Sequence, residues 1–396
     1  MKTVAIVAEY NPFHNGHKYH LEESKRLSGA ECAMAVMSGN FVQRGEPAVF
    51  NKLVRAETAV RSGLDLVFEL PVRFSTASAQ DFAYAAVEMI NSLGIADYIS
   101  FGAETEDIET LKKISGCLTN ETASFKSALN DYLKAGNSFP KARSLALAQE
   151  LGEDYATIMS TPNNILAIEY LSALTKLDSN IKPTAVKRIG AAHDSTATDD
   201  KYASGKLIRD SLKSGDTNIS SFVTETINER PIFSSDIQSI LNIELMKLQR
   251  SVDTSSEYSN ILDITPDILS KLRNLSLPAS YEDIISSLKS RELTRSRICR
   301  VLIHILLGIK NIKDTRLCPY ATLLALKKDS SHLLRSISEK SDITIINKRS
   351  SYKPDSDYAS ALYIYDRLAT DIYNLIFYSK TNINKPNELS SNIVIV

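Results

Sequence analysis

Residues 3–20 read TVAIVAEYNPFHNGHKYH, and the order of residue types in this stretch decides the fold. Residues 3–8 form a nearly continuous apolar run rich in β-branched side chains, as expected of a parallel strand covered on both faces. Asn11-Pro12 then interrupts regular structure, because proline restricts the residue before it, and a helical pattern occupies residues 16–27. The reading is strand, loop, helix. Further apolar runs at 32–37, 64–70 and 98–101 are separated by segments of helical length, the alternation that implies βαβ units. We therefore expect an α/β protein built on a Rossmann-like parallel sheet.

Outward from this core, residues 104–151 place apolar side chains at helical spacing with turn material at Gly116, Gly136-Asn137 and Pro140, a helical insertion between strands. A helix is expected after Pro162, a strand at 184–188 and a short helix at 204–212, which closes a first domain, residues 1–215. Residues 216–396 read as a mainly helical C-terminal domain, with helices at 237–248, 266–272, 281–288, 293–307 and 358–378 and one strand at 342–347.

At 396 residues the chain exceeds what one core usually organises, and 43 % hydrophobic residues exclude wholesale disorder. A formal net charge of −1 excludes a polycation that coats nucleic acid along its whole surface. Charge is segregated, however: residues 289–353 hold fifteen basic and five acidic side chains, a local balance of +10 that points to a polyanionic partner for the second domain. Cys32, Cys117, Cys299 and Cys318 lie far apart with no CxxC pair, against a zinc ribbon or a disulfide scaffold. The opening apolar run is too short for a signal peptide, and the longest apolar stretch, 298–309, is interrupted by Arg300 and His304. No membrane association is expected, and the protein reads as cytoplasmic.

Three of the six histidines fall within residues 14–20, between the first strand and the first helix. In an open parallel sheet, ligands bind at the carboxyl ends of the strands, where a helix amino terminus offers unpaired N–H groups and a positive dipole end to phosphate. Gly16 lets backbone approach a bulky ligand, and His14 and His17, three apart, share a face that could clamp a triphosphate. Positioned donors there suit nucleotidyl transfer, in which charge builds on phosphate oxygens. Solvated surface histidines and a metal site are the competing uses. The metal reading lacks a further ligand and the zincin glutamate between the histidines, so no metal ligand set is read.

His14-Asn15-Gly16-His17 resembles the His-x-Gly-His signature of the nucleotidylyltransferase superfamily. The longer context is more specific: AEYNPFHNGH at 8–17, MSGNFVQRGEPA at 37–48, SFGAE at 100–104, TPNNILAIEY at 161–170, KRIGAAHD at 187–194 and TRSRICRVLIHILLGI at 294–309 together resemble the tRNA(Met) cytidine acetate ligase family. The resemblance implies ATP as co-substrate, activation of acetate as acetyl-adenylate, and transfer of the acetyl group to the wobble cytidine of elongator tRNA(Met). It further implies ATP contacts along Val7, Ala8, Glu9, Tyr10, Asn11, Pro12, Phe13, His14, Asn15, Gly16, His17, Lys18, Tyr19 and His20, then at Gly102, Asn163 and Arg188. His14 and His17 would be the catalytic pair. Magnesium, the usual counter-ion of ATP, leaves no signature of its own.

Each later position also has an ordinary use. Gly102 serves a turn at a strand end, Asn163 an N-cap after Pro162, and Arg188 a surface salt bridge. Where related sequences carry a Ser/Thr-rich stretch ending in arginine, this one reads Ala203 to Arg209 as ASGKLIR, which makes Ser204, Lys206 and Arg209 candidates for the β and γ phosphates or for a solvated helix start. The loop holding Gly39 and Asn40, followed by FVQRGEP, is the candidate acetate pocket. Arg291, Arg295, Arg297 and Arg300 are candidate tRNA contacts or the solvated face beside the Ile298, Leu302 and Leu306 stripe. A small-molecule nucleotidylyltransferase is the rival enzyme, and a nonenzymatic nucleotide-sensing adaptor the rival of another class.

Overall fold

The computed structural model describes residues 1–188, 201–215, 219–225, 227–251, 258–290, 293–314 and 316–396. Strand β1 (Thr3–Ala8) leads through the histidine loop into α1 (Asn15–Ser28), then β2 (Cys32–Ser38) and a small hairpin of β3 (Phe41–Val42) and β4 (Glu46–Pro47). Helix α2 (Lys52–Arg61), β5 (Leu66–Leu70), α3 (Val72–Ser75), α4 (Ala79–Leu93) and β6 (Tyr98–Ala103) follow. The helical insertion is α5 (Ile108–Thr119), α6 (Ala123–Lys134), α7 (Phe139–Leu151), α8 (Glu153–Ile158) and α9 (Pro162–Lys176), after which β7 (Lys182–Lys187) returns to the sheet and α10 (Gly205–Ser214) follows.

The main sheet has the order β10-β8-β5-β2-β1-β6-β7 once β8 (Tyr320–Leu326), its side neighbour β9 (Thr344–Ile346) and β10 (Val394–Ile395) are included. Every pairing is parallel except β5 with β8. From β1 the chain steps outward to β2 and β5, then returns to β6 on the other side, so the strand order reverses between β1 and β6. This reversal opens a crevice at their carboxyl ends, where Glu9 and Glu104 follow.

Strand alternation feeds two cores. Val4, Ile6, Ala33, Ala35 and Met37 pack with Leu21, Ala56 and Val60 of α1 and α2, whereas Ala5, Met34, Val36 and Phe68 pack with α4, α7 and α9 on the other face. Both faces are covered, so these strands read as continuous apolar runs rather than alternating ones.

Beyond residue 215 lie α11 (Gln238–Arg250), α12 (Pro266–Arg273), α13 (Tyr281–Leu288), α14 (Arg295–Leu306), α15 (Ser331–Lys340) and α16 (Asp357–Thr381). The expectation of a single strand in this half, at 342–347, is corrected: β8 and β10 are strands as well, and the sheet runs across position 215. All seven residues of β8 are buried, and a short apolar run without alternation carries no periodicity that separates it from a buried helix. A buried ion network fastens this half to the sheet. Lys52 at the start of α2 bonds Glu69 of β5 at 2.7 Å and Glu388 of the C-terminal tail at 2.7 Å, and the Arg349 guanidinium forms an ion pair with Glu388 at 2.6 Å.

Candidate active site

The loop leaving β1 is shaped by an Asn11-Pro12 cis peptide and by Tyr10, whose φ of 47° sends the chain away from the strand direction. Buried Tyr10 packs edge to face against the His17 ring with centroids 5.0 Å apart, and buried Phe13 packs against it at a tilt of 47°. His14 is the N-cap of α1: the Gly16 N–H donates to His14 Nδ1 at 3.1 Å, and the His14 N–H donates to His17 Nδ1 at 3.2 Å. This is a capping box made of two imidazoles. It leaves no acidic residue in the first turn, so the positive end of the helix stays uncompensated. Glycine is required at 16, because a Cβ there would lie 2.9 Å from His14 Cε1.

A second helix start meets the first. Ser204 caps α10, Arg209 one turn later donates to the Asn11 carbonyl at 3.0 Å, and a Cβ at Gly205 would stand 3.8 Å from His14 Nε2. Arg188, at the end of β7, reaches the same space and donates to Asn163 Oδ1 at 3.4 Å, while Asn163 Nδ2 donates to Glu104 Oε1 at 2.6 Å. A side chain at Gly102 would meet Arg188 Cγ at 3.4 Å. Two helix amino ends, two arginines and two imidazoles therefore converge beside the sheet crevice.

Burial, then the charges of Arg188 and Arg209, holds the His14 imidazole down at about 3. Burial and the neighbouring His14 push His17 well below its usual range, and burial with Arg188 takes His20 to about 4. The imidazoles are neutral at physiological pH. With both Nδ1 atoms accepting from backbone, the proton of each ring sits on Nε2. Such neutral donors, backed by two guanidinium groups and two helix ends, stabilise phosphate oxygens.

These groups line a cavity of about 900 Å³, reached also by Val7, Ala8, Glu9, Tyr10, Asn11, Gly16, Tyr19, His20 and Lys206. Pro12, Phe13, Asn15 and Lys18 do not line it. Phe13 is buried beneath the histidines, Lys18 faces outward, and Asn15 Nδ2 instead donates to the carbonyls of Lys201 and Ser221, tying the segment before α10 and residues 219–222 to α1. Gly39 and Asn40, the expected acetate pocket, lie off the cavity: a Cβ at Gly39 would stand 2.2 Å from Glu69 Oε1, and Asn40 Oδ1 accepts the Lys52 N–H that opens α2. The FVQRGEP hairpin does reach it, through Gln43 and Arg44, and the Gln43 N–H donates to Glu9 Oε1 at 3.0 Å.

The arginine cluster separates. Arg291 lies outside the described residues, as do residues 189–194 of KRIGAAHD. Arg295 is paired with Glu282 at 2.6 Å, Arg297 is partly exposed, and Arg300 lines the cavity beside Asp263 at 3.5 Å. Arg300 arrives there because Gly45, at φ 75° in the turn of the hairpin, lets the hairpin press on the α14 backbone; a Cβ at Gly45 would be 2.2 Å from the Arg300 nitrogen.

Sequence reading missed Arg55, whose buried guanidinium donates to the carbonyls of Glu9, Ser38, Gly39 and Phe50 and so ties together the ends of β1 and β2. It also missed Phe139, Arg143 and Glu169, which line the cavity from the helical insertion. The i, i+4 spacing of Phe139 and Arg143 was the available signal. Among the described residues, no group of three or more His, Cys, Asp or Glu is arranged to hold a metal ion, and no helix is long and apolar enough to cross a membrane.

The model of the HIGH nucleotidyl transferase family matches residues 1–388. The tRNA(Met) cytidine acetate ligase of Caldanaerobacter subterraneus subsp. tengcongensis is 39 % identical over 392 residues, covering 95 % of this chain and 96 % of that protein. The ligase of Acetivibrio thermocellus is 34 % identical with both chains covered in full. The crystal structure of Thermotoga maritima TmcAL bound with alpha-thio ATP superposes with a TM-score of 0.89 at 28 % identity, each chain covered in full, and the apo form with 0.91. The chain belongs to the HIGH nucleotidyl transferase family and, within it, to the tRNA(Met) cytidine acetate ligases.

Proposed function

We propose that this chain is an ATP-dependent ligase that activates acetate as acetyl-adenylate and transfers the acetyl group to the exocyclic amine of the wobble cytidine of elongator tRNA(Met), forming N4-acetylcytidine. The observation that supports it is the pairing of neutral His14 and His17 with Arg188 and Arg209 at two converging helix starts, in a chain 39 % identical to a named acetate ligase. ATP is the co-substrate, as alpha-thio ATP is the ligand of the Thermotoga maritima relative. With ATP and tRNA as substrates, the enzyme works in the cytoplasm.

Acetate is ionised at neutral pH, since a carboxyl titrates near about 4, so the first step needs alignment rather than a base. A carboxylate oxygen attacks the α-phosphorus and pyrophosphate leaves. The Nε2–H groups of His14 and His17 bond the phosphate oxygens on which charge grows, and Arg188, Arg209, Ser204 and Lys206 hold the β and γ phosphates. The cytosine amine, a weak nucleophile, then attacks the acetyl carbonyl, the acyl–phosphate bond breaks, AMP departs with the bonding electron pair, and the proton lost from nitrogen passes to solvent. Residues 216–396, with the partly exposed Arg297, grip the tRNA backbone.

Acetate-dependent ATP–pyrophosphate exchange without tRNA tests this reading. Exchange with acetate and none with nicotinamide mononucleotide or phosphopantetheine is expected. Product formation with either phosphate acceptor would assign the rival small-molecule nucleotidylyltransferase activity instead.

A further inference from the structure

The cavity extends past the phosphate cradle to the opposite face of the sheet, where α7 and α9 pack in the core that also holds α4. There Arg143 Nη1 bonds Glu169 Oε1 at 2.6 Å, with the carboxylate side chain only 4 % exposed and the guanidinium side chain 16 %. Neither side chain makes another hydrogen bond within the described residues, so Glu169 Oε2 and the remaining Arg143 N–H groups are open toward the cavity they line. A buried ion pair costs desolvation, and leaving half of its hydrogen-bonding capacity unused adds to that cost. One turn before Arg143, on the same side of α7, Phe139 stands at the cavity wall with 53 % of its surface exposed.

Resting on the acceptor assigned under Proposed function, we infer that Phe139, Arg143 and Glu169 form the pocket that reads the acceptor cytosine, Phe139 stacking on the base and the ion pair bonding its Watson–Crick edge. Cytosine presents an amine donor at N4 beside acceptors at N3 and O2. A free carboxylate oxygen matches the amine, and guanidinium N–H groups match the acceptors. The Nη1 to Oε1 bond holds the two groups side by side before the base arrives. Uracil presents O4 to the carboxylate and an N–H to the guanidinium, and both contacts repel. An exposed aromatic side chain beside such a pair is the usual platform for a splayed single-stranded base.

The test compares two half-reactions in Glu169→Gln, Arg143→Met, Phe139→Ala and Phe139→Tyr. Acetate-dependent pyrophosphate exchange reports the ATP half, and acetyl transfer to an elongator tRNA(Met) transcript reports the base half. For the first three variants kcat/KM for tRNA should fall about 10- to 100-fold further than exchange falls, as loss of a base-edge contact implies. Phe139→Tyr should recover most of the loss. A transcript with uridine at the wobble position should compete weakly with wild type and about equally with the cytidine transcript in Glu169→Gln. Equal losses in both half-reactions, a raised KM for ATP, or unaltered discrimination between the two transcripts would overturn the inference. Absence of acetate-dependent exchange in the wild-type chain would strike the proposed function first, and this pocket with it.

Discussion

The imidazoles of His14 and His17 stack with ring centroids 3.8 Å apart and planes 27° apart, each accepting a backbone N–H at Nδ1. One pair of atoms serves the fold and the other is left for the ligand. His17→Ala should lower acetate-dependent exchange about 100- to 1,000-fold, the cost of one removed charge-stabilising donor. It should also cost about 1 kcal/mol in urea unfolding from the lost cap. His17→Gln keeps a side chain that can close the capping box, so it should regain the stability and not the rate. Full exchange in either variant would dismiss the phosphate role.

Folding holds His14 at about 3 and His20 at about 4, whereas both take up a proton near 6.5 in the unfolded chain. Between those values the unfolded state binds more protons, so stability is complete above about pH 6.5 and is lost as pH falls. Each imidazole contributes a slope of up to about 1.4 kcal/mol per pH unit there. His20 sits beside Ser100 Oγ at 3.2 Å, a contact glutamine can keep. Denaturant unfolding of His20→Gln at pH 7, 6 and 5 should show a shallower acid loss than wild type; parallel profiles would refute the assignment.

A side chain at Gly102 meets Arg188 Cγ at 3.4 Å, close but tolerable. Gly102→Ala should leave the KM for ATP within about twofold, while the two added methyl groups of Gly102→Val should displace Arg188 and raise it about tenfold or more. Exchange kinetics at varied ATP measure both.

Gly39 borders Glu69 rather than the cavity, and Glu69 is held by the buried Lys52 ion pair. Gly39→Ala should therefore cost about 1–3 kcal/mol of stability by overpacking and leave the KM for acetate alone. A raised acetate KM with unaltered unfolding would restore Gly39 to the substrate pocket.

Arg295 is neutralised by Glu282 in a two-pronged salt bridge, whereas Arg297 makes no ion pair among the described residues. Arg297→Glu should weaken tRNA binding and lower the slope of log affinity against log salt by about 1, with exchange intact. Arg295→Gln should do less. Equal salt slopes for Arg297→Glu and wild type would remove Arg297 from the RNA surface.

The local signals in the sequence were strong where chemistry and chain geometry coincide within one turn. An apolar β-branched run, Asn11-Pro12, and histidines flanking Gly16 specify strand, loop and helix start together, because each acts through backbone sterics and hydrogen bonds of near neighbours. Positions 102, 163 and 188 were legible through the family motifs, and 204, 206 and 209 from a helix start that departs from the related pattern; the fold brings all six to one cavity. Tertiary structure alone decided the rest. That Tyr320–Leu326 closes the sheet antiparallel to β5 depends on pairing across 250 residues of chain, for which a fully buried heptad carries no periodic mark. The same holds for Arg55, which ties the ends of two strands, and for Arg143 and Glu169, twenty-six residues apart and joined at 2.6 Å: a charged residue in a sequence reads as solvent-facing until the fold removes the solvent and supplies its partner.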